Sequence, residues 1–248
     1  MKKIENKEQQ LWKEVKAKAN MPGHREILLS EFHSTVIDRE LKYLGFQLSR
    51  YKFASSMLAT KPNTSILELG SNYGLGTWML SQVKNCSQLV GVDFDEEGVE
   101  YAEQTFSSDK IKYICDDFLG KDYRGQLFSK ERFDAVVSLD VIEHIPKEKE
   151  KLFLETISVN LAEDGVAVIG TPNITMSPYT SEESKLGHVN LFDQERLYDF
   201  LSQVFQNVFI FGMTDEVVHT GFYPMCCYIL AVCAGKKRRH DNVANEFY

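Results

Sequence analysis

The stretch Glu68-Leu69-Gly70-Ser71-Asn72-Tyr73-Gly74-Leu75-Gly76 concentrates glycine where an apolar run, Ser65-Ile66-Leu67-Glu68-Leu69, gives way to helical spacing. Glycine at such a junction lets the backbone turn tightly and approach a ligand closely. The helix that follows presents free N–H groups to that ligand. A loop of this kind also suits a plain strand-to-helix turn, so it decides nothing alone. The second signal is Asp93, 23 positions beyond Gly70 at the end of the next apolar run, Leu89-Val90-Gly91-Val92. A carboxylate there accepts hydrogen bonds from both hydroxyls of an adenosine ribose. Loop and carboxylate together indicate a cofactor that contains a nucleoside.

Further on lie groups suited to proton transfer. Glu143 and His144 follow the apolar run 133–139, His188 sits in Gly187-His188-Val189-Asn190, and His219 lies between the last two apolar runs. Each histidine suits a general base. The plainer alternatives are that Glu143-His144 caps a helix, that His188 pins a loop and that His219 is a surface residue.

These residues need elements to position them. Strands are predicted at 65–69, 89–92, 111–115, 133–139 and 166–170, with helices at 77–83, 96–106, 149–161 and 194–205. Two last strands, 208–212 and 228–233, follow one another without a helix, so the final one should run antiparallel. Short apolar strands alternating with helices imply an α/β, Rossmann-like, doubly wound and mostly parallel sheet, here of seven strands. In such sheets ligands bind beyond the carboxyl ends of the strands, where all three histidines are expected. Ahead of the sheet, Ile4, Leu11, Trp12 and Val15 form an apolar helical stripe, Met21-Pro22-Gly23 breaks it, and a second helical region spans 26–58 with a break near Gly45. The expected organisation is an N-terminal helical lid (1–58), a cofactor-binding domain (59–235) and a basic tail without order (236–248). Ser49-Arg50-Tyr51-Lys52-Phe53 is read as packing against the sheet edge, and 174–186 as part of the substrate lid.

ILELGSNYGLGT, VGVDFDEEGVEYAEQ, YICDDF and FDAVVSLDVIEHIP, in that order, resemble the successive motifs of class I S-adenosylmethionine-dependent methyltransferases. The last is similar to ubiquinone-pathway O-methyltransferases and their small-molecule relatives. PNIT and GHVNLF also resemble methyltransferases of bacterial surface-polysaccharide pathways. The resemblance implies that Glu68 and Gly70 lie under the methionine part of S-adenosylmethionine, with Gly74 and Gly76 shaping the loop. It implies Asp93 on the ribose, Phe94 flanking the adenine, Asp117 and Phe118 at the adenine edge, with Asp116 the alternative register, and Asp140 closing the far side. Family members often carry glycine where this chain has Asn72, a residue that tolerates left-handed backbone angles. Some relatives bind a divalent ion through an ExxEH pattern, some of them with a later histidine. Here that set would be Asp140, Glu143, His144 and His188, with Asp140 shortening the first ligand, and the reading preferred from sequence is metal-free. The implied activity is methyl transfer to an oxygen of a small-molecule acceptor, such as a phosphoramidate or sugar-nucleotide capsule precursor, with His144, His188 and Glu143 as catalytic candidates. An N-methyltransferase, a macromolecule methyltransferase and an inactive cofactor-binding module are the alternatives.

Composition agrees. The chain has 248 residues, 43% hydrophobic and 26% charged, ordinary values for a folded domain. A net charge of −8 argues against a nucleic-acid partner, since phosphate contacts need a basic face; the dense basic run is Lys236-Lys237-Arg238-Arg239. Five cysteines without a CxxC pair give neither a disulfide framework nor a zinc site. MKKIENKEQQLWKEVK lacks the apolar stretch of a signal peptide, and no membrane span is read. A cytoplasmic protein with reduced thiols is expected.

Overall fold

The structure, a computed structural model, describes residues 37–58, 61–127, 130–180 and 182–237, together with Gln10. The expected helix with Ile4, Leu11, Trp12 and Val15, the break at Met21-Pro22-Gly23 and the chain from 238 onward lie outside the described residues.

Helix α1 (Ile37–Leu58) leads into β1 (Thr64–Leu69), α2 (Leu75–Ser81), β2 (Cys86–Asp93), α3 (Glu96–Thr105), β3 (Ile111–Cys115) and β4 (Phe133–Leu139). Then come α4 (Glu150–Asn160), β5 (Leu161–Pro172), α5 (Glu182–Gly187), α6 (Gln194–Ser202), β6 (Phe205–Thr214), β7 (Val217–His219) and β8 (Tyr228–Lys236). The described strands form one sheet in the order β3-β2-β1-β4-β5-β8-β6-β7. Strands β1 to β5 pair in parallel, while β8 runs antiparallel to both β5 and β6.

The doubly wound sheet with a reversed last strand matches expectation, but the strand number does not. An eighth strand, β7, pairs antiparallel with the end of β6 at the sheet edge. Three residues are too few to show a two-residue period, so β7 read as loop. Helix α1 continues through Gly45, where a break was expected. Lys236, assigned to the tail, belongs to β8, and its ammonium donates to the Ser158 and Leu161 carbonyls at 3.0 and 2.9 Å. Lys237 likewise donates to the Ser202 carbonyl at 2.6 Å.

Strand alternation sends successive residues to opposite faces. In β1, Leu67 and Leu69 pack with Val90, Val92, Phe153, Ile157 and Phe200 beneath α4 and α6. Ile66 faces the other way, with Leu89, Val137 and Leu80, under Tyr51, Ala54 and Leu58 of α1. Both faces are covered, which is why these strands read as nearly continuous apolar runs. The described part of the expected lid is thus docked on one face of the sheet. All five cysteines are free thiols. No helix among the described residues is long and apolar enough to cross a membrane.

Candidate active site

The loop after β1 turns on Gly70, whose φ of 85° suits glycine. A Cβ there would lie 2.2 Å from Val141 Cγ2, so glycine lets the β1 and β4 loops touch. Asn72 holds φ 45°, the left-handed angle asparagine tolerates. Its N–H donates to Asp93 Oδ2 at 2.8 Å, and the Asp95 N–H donates to Asp93 Oδ1 at 2.9 Å. Asp93 therefore fixes the loop.

Glu68 does not open onto the loop surface. It is 1% exposed, accepting from Tyr51 Oη at 2.9 Å and from Thr77 Oγ1 at 2.6 Å. Gly76 makes room for this, since a Cβ there would sit 2.0 Å from the Tyr51 ring. Burial pushes the Glu68 carboxyl up to about 7. A folded value above the unfolded one means stability is fully present below the ordinary 4.5 and is lost as pH rises through about 7. The span corresponds to roughly 3 kcal/mol. The melting temperature of the cofactor-free protein should fall between about pH 5 and about pH 8, and Glu68→Gln should flatten that slope, since both hydroxyl partners can reorient. Burial also raises Glu143, so the slope should shrink rather than vanish. An identical slope in wild type and variant would refute the assignment.

At the end of β3, Asp116 accepts from Tyr123 Oη at 3.1 Å and pairs with Lys121. Asp117 accepts from the Leu119 N–H at 3.3 Å. Phe94 is half-buried after β2. Phe118 points inward, edge-on to Phe153 at 6.4 Å between centroids, as part of the core.

Beyond β4, Asp140 holds φ 58° and its N–H faces the Gly170 carbonyl and Tyr228 Oη, both at 3.1 Å. Its carboxylate accepts from Arg50 Nη1 at 2.5 Å. A 3-10 turn, Ile142–His144, then buries Glu143 (1% exposed), whose Oε2 accepts from Thr171 Oγ1 at 3.0 Å. Glu143 Oε1 is buried without a partner. Burial, then the nearby Asp140, holds this carboxyl well above its ordinary range. His144 Nδ1 lies 2.9 Å from the Gly187 carbonyl oxygen, so Nδ1 carries the proton and Nε2 the lone pair. The His188 ring meets His144 edge-on at 5.1 Å. Burial lowers both imidazoles, and His144 helps to hold His188 at about 4. The Asn190 N–H donates to the Glu143 carbonyl at 3.0 Å, pinning the His188 segment to the β4 turn.

One ligand atom each from Glu143, His144 and His188 lies within 4.8 Å of the others. Asp140, counted with them from sequence, is outside this group and engages Arg50 instead. His219 is in β7, bonded to Thr214 Oγ1 at 3.2 Å, with β6 and β8 between it and β5.

Residues 66–165 match the methyltransferase domain family. The chain carries a class I S-adenosylmethionine-dependent methyltransferase domain. No curated relative matches the sequence. Solved structures share the fold. The methyltransferase domain of bacterial CtHen1 is 16% identical, covering 76% of this chain and 98% of its own, with a TM-score of 0.61. The N-methyltransferase NodS of Bradyrhizobium japonicum, bound to S-adenosylhomocysteine, is 18% identical over 93% and 99%, with a TM-score of 0.57. The plantazolicin methyltransferase BpumL, in complex with S-adenosylhomocysteine, is 16% identical over 91% and 99%, with a TM-score of 0.55.

For this methyltransferase, the sequence assigns no site role to Thr171 or Tyr228 and reads Arg50 and Tyr51 as packing against the sheet edge. Arg50 stacks on the Tyr228 ring at 3.9 Å while it pairs with Asp140. Arg50 and Tyr51 are neighbours on α1, yet one reaches the β4 end and the other the carboxylate of β1. The available signal was an arginine followed by a tyrosine in an otherwise apolar-faced helix, which packing explains equally well.

Proposed function

We propose that the methyltransferase transfers the methyl group of S-adenosylmethionine to an oxygen of a small-molecule acceptor, at the Glu143–His144–His188 cluster. The observation that carries this is the convergence of one carboxylate and two neutral imidazoles at the carboxyl ends of β4 and β5, across Gly70 from Asp93. In this reading Asp93 takes the ribose hydroxyls, Phe94 flanks the adenine and Asp117 meets its edge. Asp116, the alternative register, accepts from Tyr123 and pairs with Lys121.

The acceptor oxygen attacks the methyl carbon in line with the carbon–sulfur bond. That bond breaks with its electrons passing to sulfur, and the sulfonium becomes the thioether of S-adenosylhomocysteine. A hydroxyl is a poor nucleophile while it keeps its proton, so the cluster must favour loss of that proton to water as the new oxygen–carbon bond forms. The residues fit a divalent cation: Glu143 Oε1 lacks a partner, and Thr171 and the Gly187 carbonyl orient the other atoms as outer-shell partners do. Bound there, a divalent ion would polarise the acceptor oxygen. This reading replaces the metal-free preference, because Asp140 has left the set and three closer donors remain.

Nitrogen is the alternative acceptor atom. A capsule precursor, phosphoramidate or sugar nucleotide, rests on the sequence resemblance alone. The test is a turnover screen over alcohols, phenols, amines and sugar nucleotides with 13C-methyl-labelled cofactor. S-adenosylhomocysteine release with an O-methyl product is expected; an N-methyl product alone overturns the oxygen assignment.

A further inference from the structure

We propose that Asn190 is a positioning residue for the Glu143–His144–His188 cluster, held in place by the Arg196–Glu150 ion pair; the assignment rests on that cluster being the reaction site. The cluster is divided in the chain. Glu143 and His144 come from the 3-10 turn after β4, whereas His188 follows α5. Contacts rather than connectivity must bring the two imidazole centroids to 5.1 Å. Two hydrogen bonds join the parts. His144 Nδ1 makes one itself, at the Gly187 carbonyl. Asn190 makes the other, its N–H donating to the Glu143 carbonyl at 3.0 Å.

The Asn190 side chain fixes where that N–H stands. It is buried, and it bonds in two further directions. Its Nδ2 donates to Glu150 Oε1 at 2.8 Å, at the start of α4, and its Oδ1 accepts from Arg196 Nη2 at 2.9 Å, in the first turn of α6. Arg196 Nη2 also pairs with Glu150, which closes a triangle. The corner at 190 needs one donor and one acceptor on a short side chain, and an asparagine amide supplies both. Both of its partners are charged, and charge-assisted hydrogen bonds are the strong ones. Arg196 grips the residues that follow. Its Nη1 donates to the Leu191 carbonyl at 2.7 Å, its guanidinium lies over the Phe192 ring at 3.8 Å, and its N–H donates to Asp193 Oδ1 at 2.8 Å. His188 stands two residues before Asn190, at most roughly 7 Å of chain. A shift of Asn190 therefore carries His188 away from Glu143 and His144 with little slack. Through this one residue, the packing of α4 and α6 sets the spacing of three donor atoms that lie within 4.8 Å of one another.

The test combines two measurements on the full chain. One is calorimetry with manganese and with S-adenosylhomocysteine. The other is the NMR cross-peak between the His144 and His188 rings in metal-free, histidine-labelled protein. Wild type should bind manganese and show the cross-peak. Asn190→Ala should weaken manganese about tenfold or more and lose the cross-peak, while S-adenosylhomocysteine affinity stays within about twofold. Asn190→Asp sets a carboxylate against Glu150 and should do the same. Adding Glu150→Gln to Asn190→Asp remakes the bond with donor and acceptor exchanged and returns the net charge to that of wild type. Manganese affinity should then recover to within about threefold, and the cross-peak should return. That recovery separates positioning from filling of space, and it decides the matter even where the alanine variant does not fold. Unchanged manganese affinity and cross-peak in folded Asn190→Ala overturns the role. So does equal weakening of both ligands, or a double variant no better than Asn190→Asp. If wild type binds no manganese, the cation reading falls and the cross-peak decides alone: persistence in the single variants overturns the role, and loss there with return in the double variant supports it. Absence of the cross-peak from wild type overturns the cluster and the role with it.

Discussion

Asp93→Ala is expected to weaken S-adenosylhomocysteine binding by about a hundredfold or more while the protein stays folded. Two losses combine. In the cofactor reading the ribose hydroxyls donate to the Asp93 carboxylate, and hydrogen bonds to a charged group contribute about 1.5–3 kcal/mol each. The same carboxylate also receives the Asn72 and Asp95 N–H groups, which hold the loop against the end of β2. Without it, Asn72 loses the acceptor of its N–H at a left-handed angle, and the cofactor must reorder the loop on binding. Two bonds at the lower end of the range already give roughly 3 kcal/mol, or about a hundredfold. Asp93→Asn should fall between, since an amide oxygen accepts while its NH2 opposes one backbone donor. Calorimetry with S-adenosylhomocysteine, alongside circular dichroism melting, is the measurement. Unchanged affinity in a folded Asp93→Ala protein would show that the ribose lies elsewhere.

The parts legible from sequence are those fixed by local pattern. A strand buried on both faces must be apolar, a loop that turns at φ 85° favours glycine, and an acidic residue at a strand end stands out against its neighbours. Gly70 and Asp93 could therefore be placed in relation to one another from spacing, while Asn72 entered through the family resemblance. What stayed hidden depends on chain-distant contact. Arg50 and Asp140 are 90 positions apart, and Tyr51 and Glu68 are 17 apart on different elements. Nothing in FDAVVSLDVIEHIP shows that Asp140 turns toward α1 while Glu143 turns inward to Thr171. Phe118 reads like Phe94, an aromatic after a strand, yet packs against Phe153 because α4 covers that side. The histidines show the limit most clearly. Their titration follows from burial and, for His188, from His144 beside it, and neither is visible until the fold brings residues 144 and 188 together.

Exhaustive chelation is expected to abolish turnover, and added manganese or magnesium to restore it. The alternative is a histidine acting as general base in a metal-free site. Such a base works best with a pKa near the working pH, whereas His188 is held at about 4. A base that weak would already be unprotonated at neutral pH and would accept a hydroxyl proton poorly. The metal-free alternative therefore predicts chelator-resistant activity that stays flat from about pH 6 to about pH 8, not the rise near ~6.5 of an ordinary histidine. The donor set argues the other way. Glu143 Oε1 is buried and unpaired, which is costly unless an acceptor-seeking group occupies the space beside it. His144 is held by the Gly187 carbonyl through Nδ1, and His188 completes two imidazoles and one carboxylate. That mixture suits manganese, iron or zinc better than magnesium, so manganese should restore activity at lower concentration. His144→Ala, His188→Ala and Glu143→Ala should each lower kcat by about a hundredfold or more, while S-adenosylhomocysteine affinity stays within about twofold. Asp140→Ala should instead lower cofactor affinity, because Asp140 stands outside the three donors and beside Arg50. Full activity in exhaustively chelated protein would refute the cation. Full activity in both histidine variants would refute cation and base alike, leaving alignment of the acceptor with the sulfonium as the source of the rate.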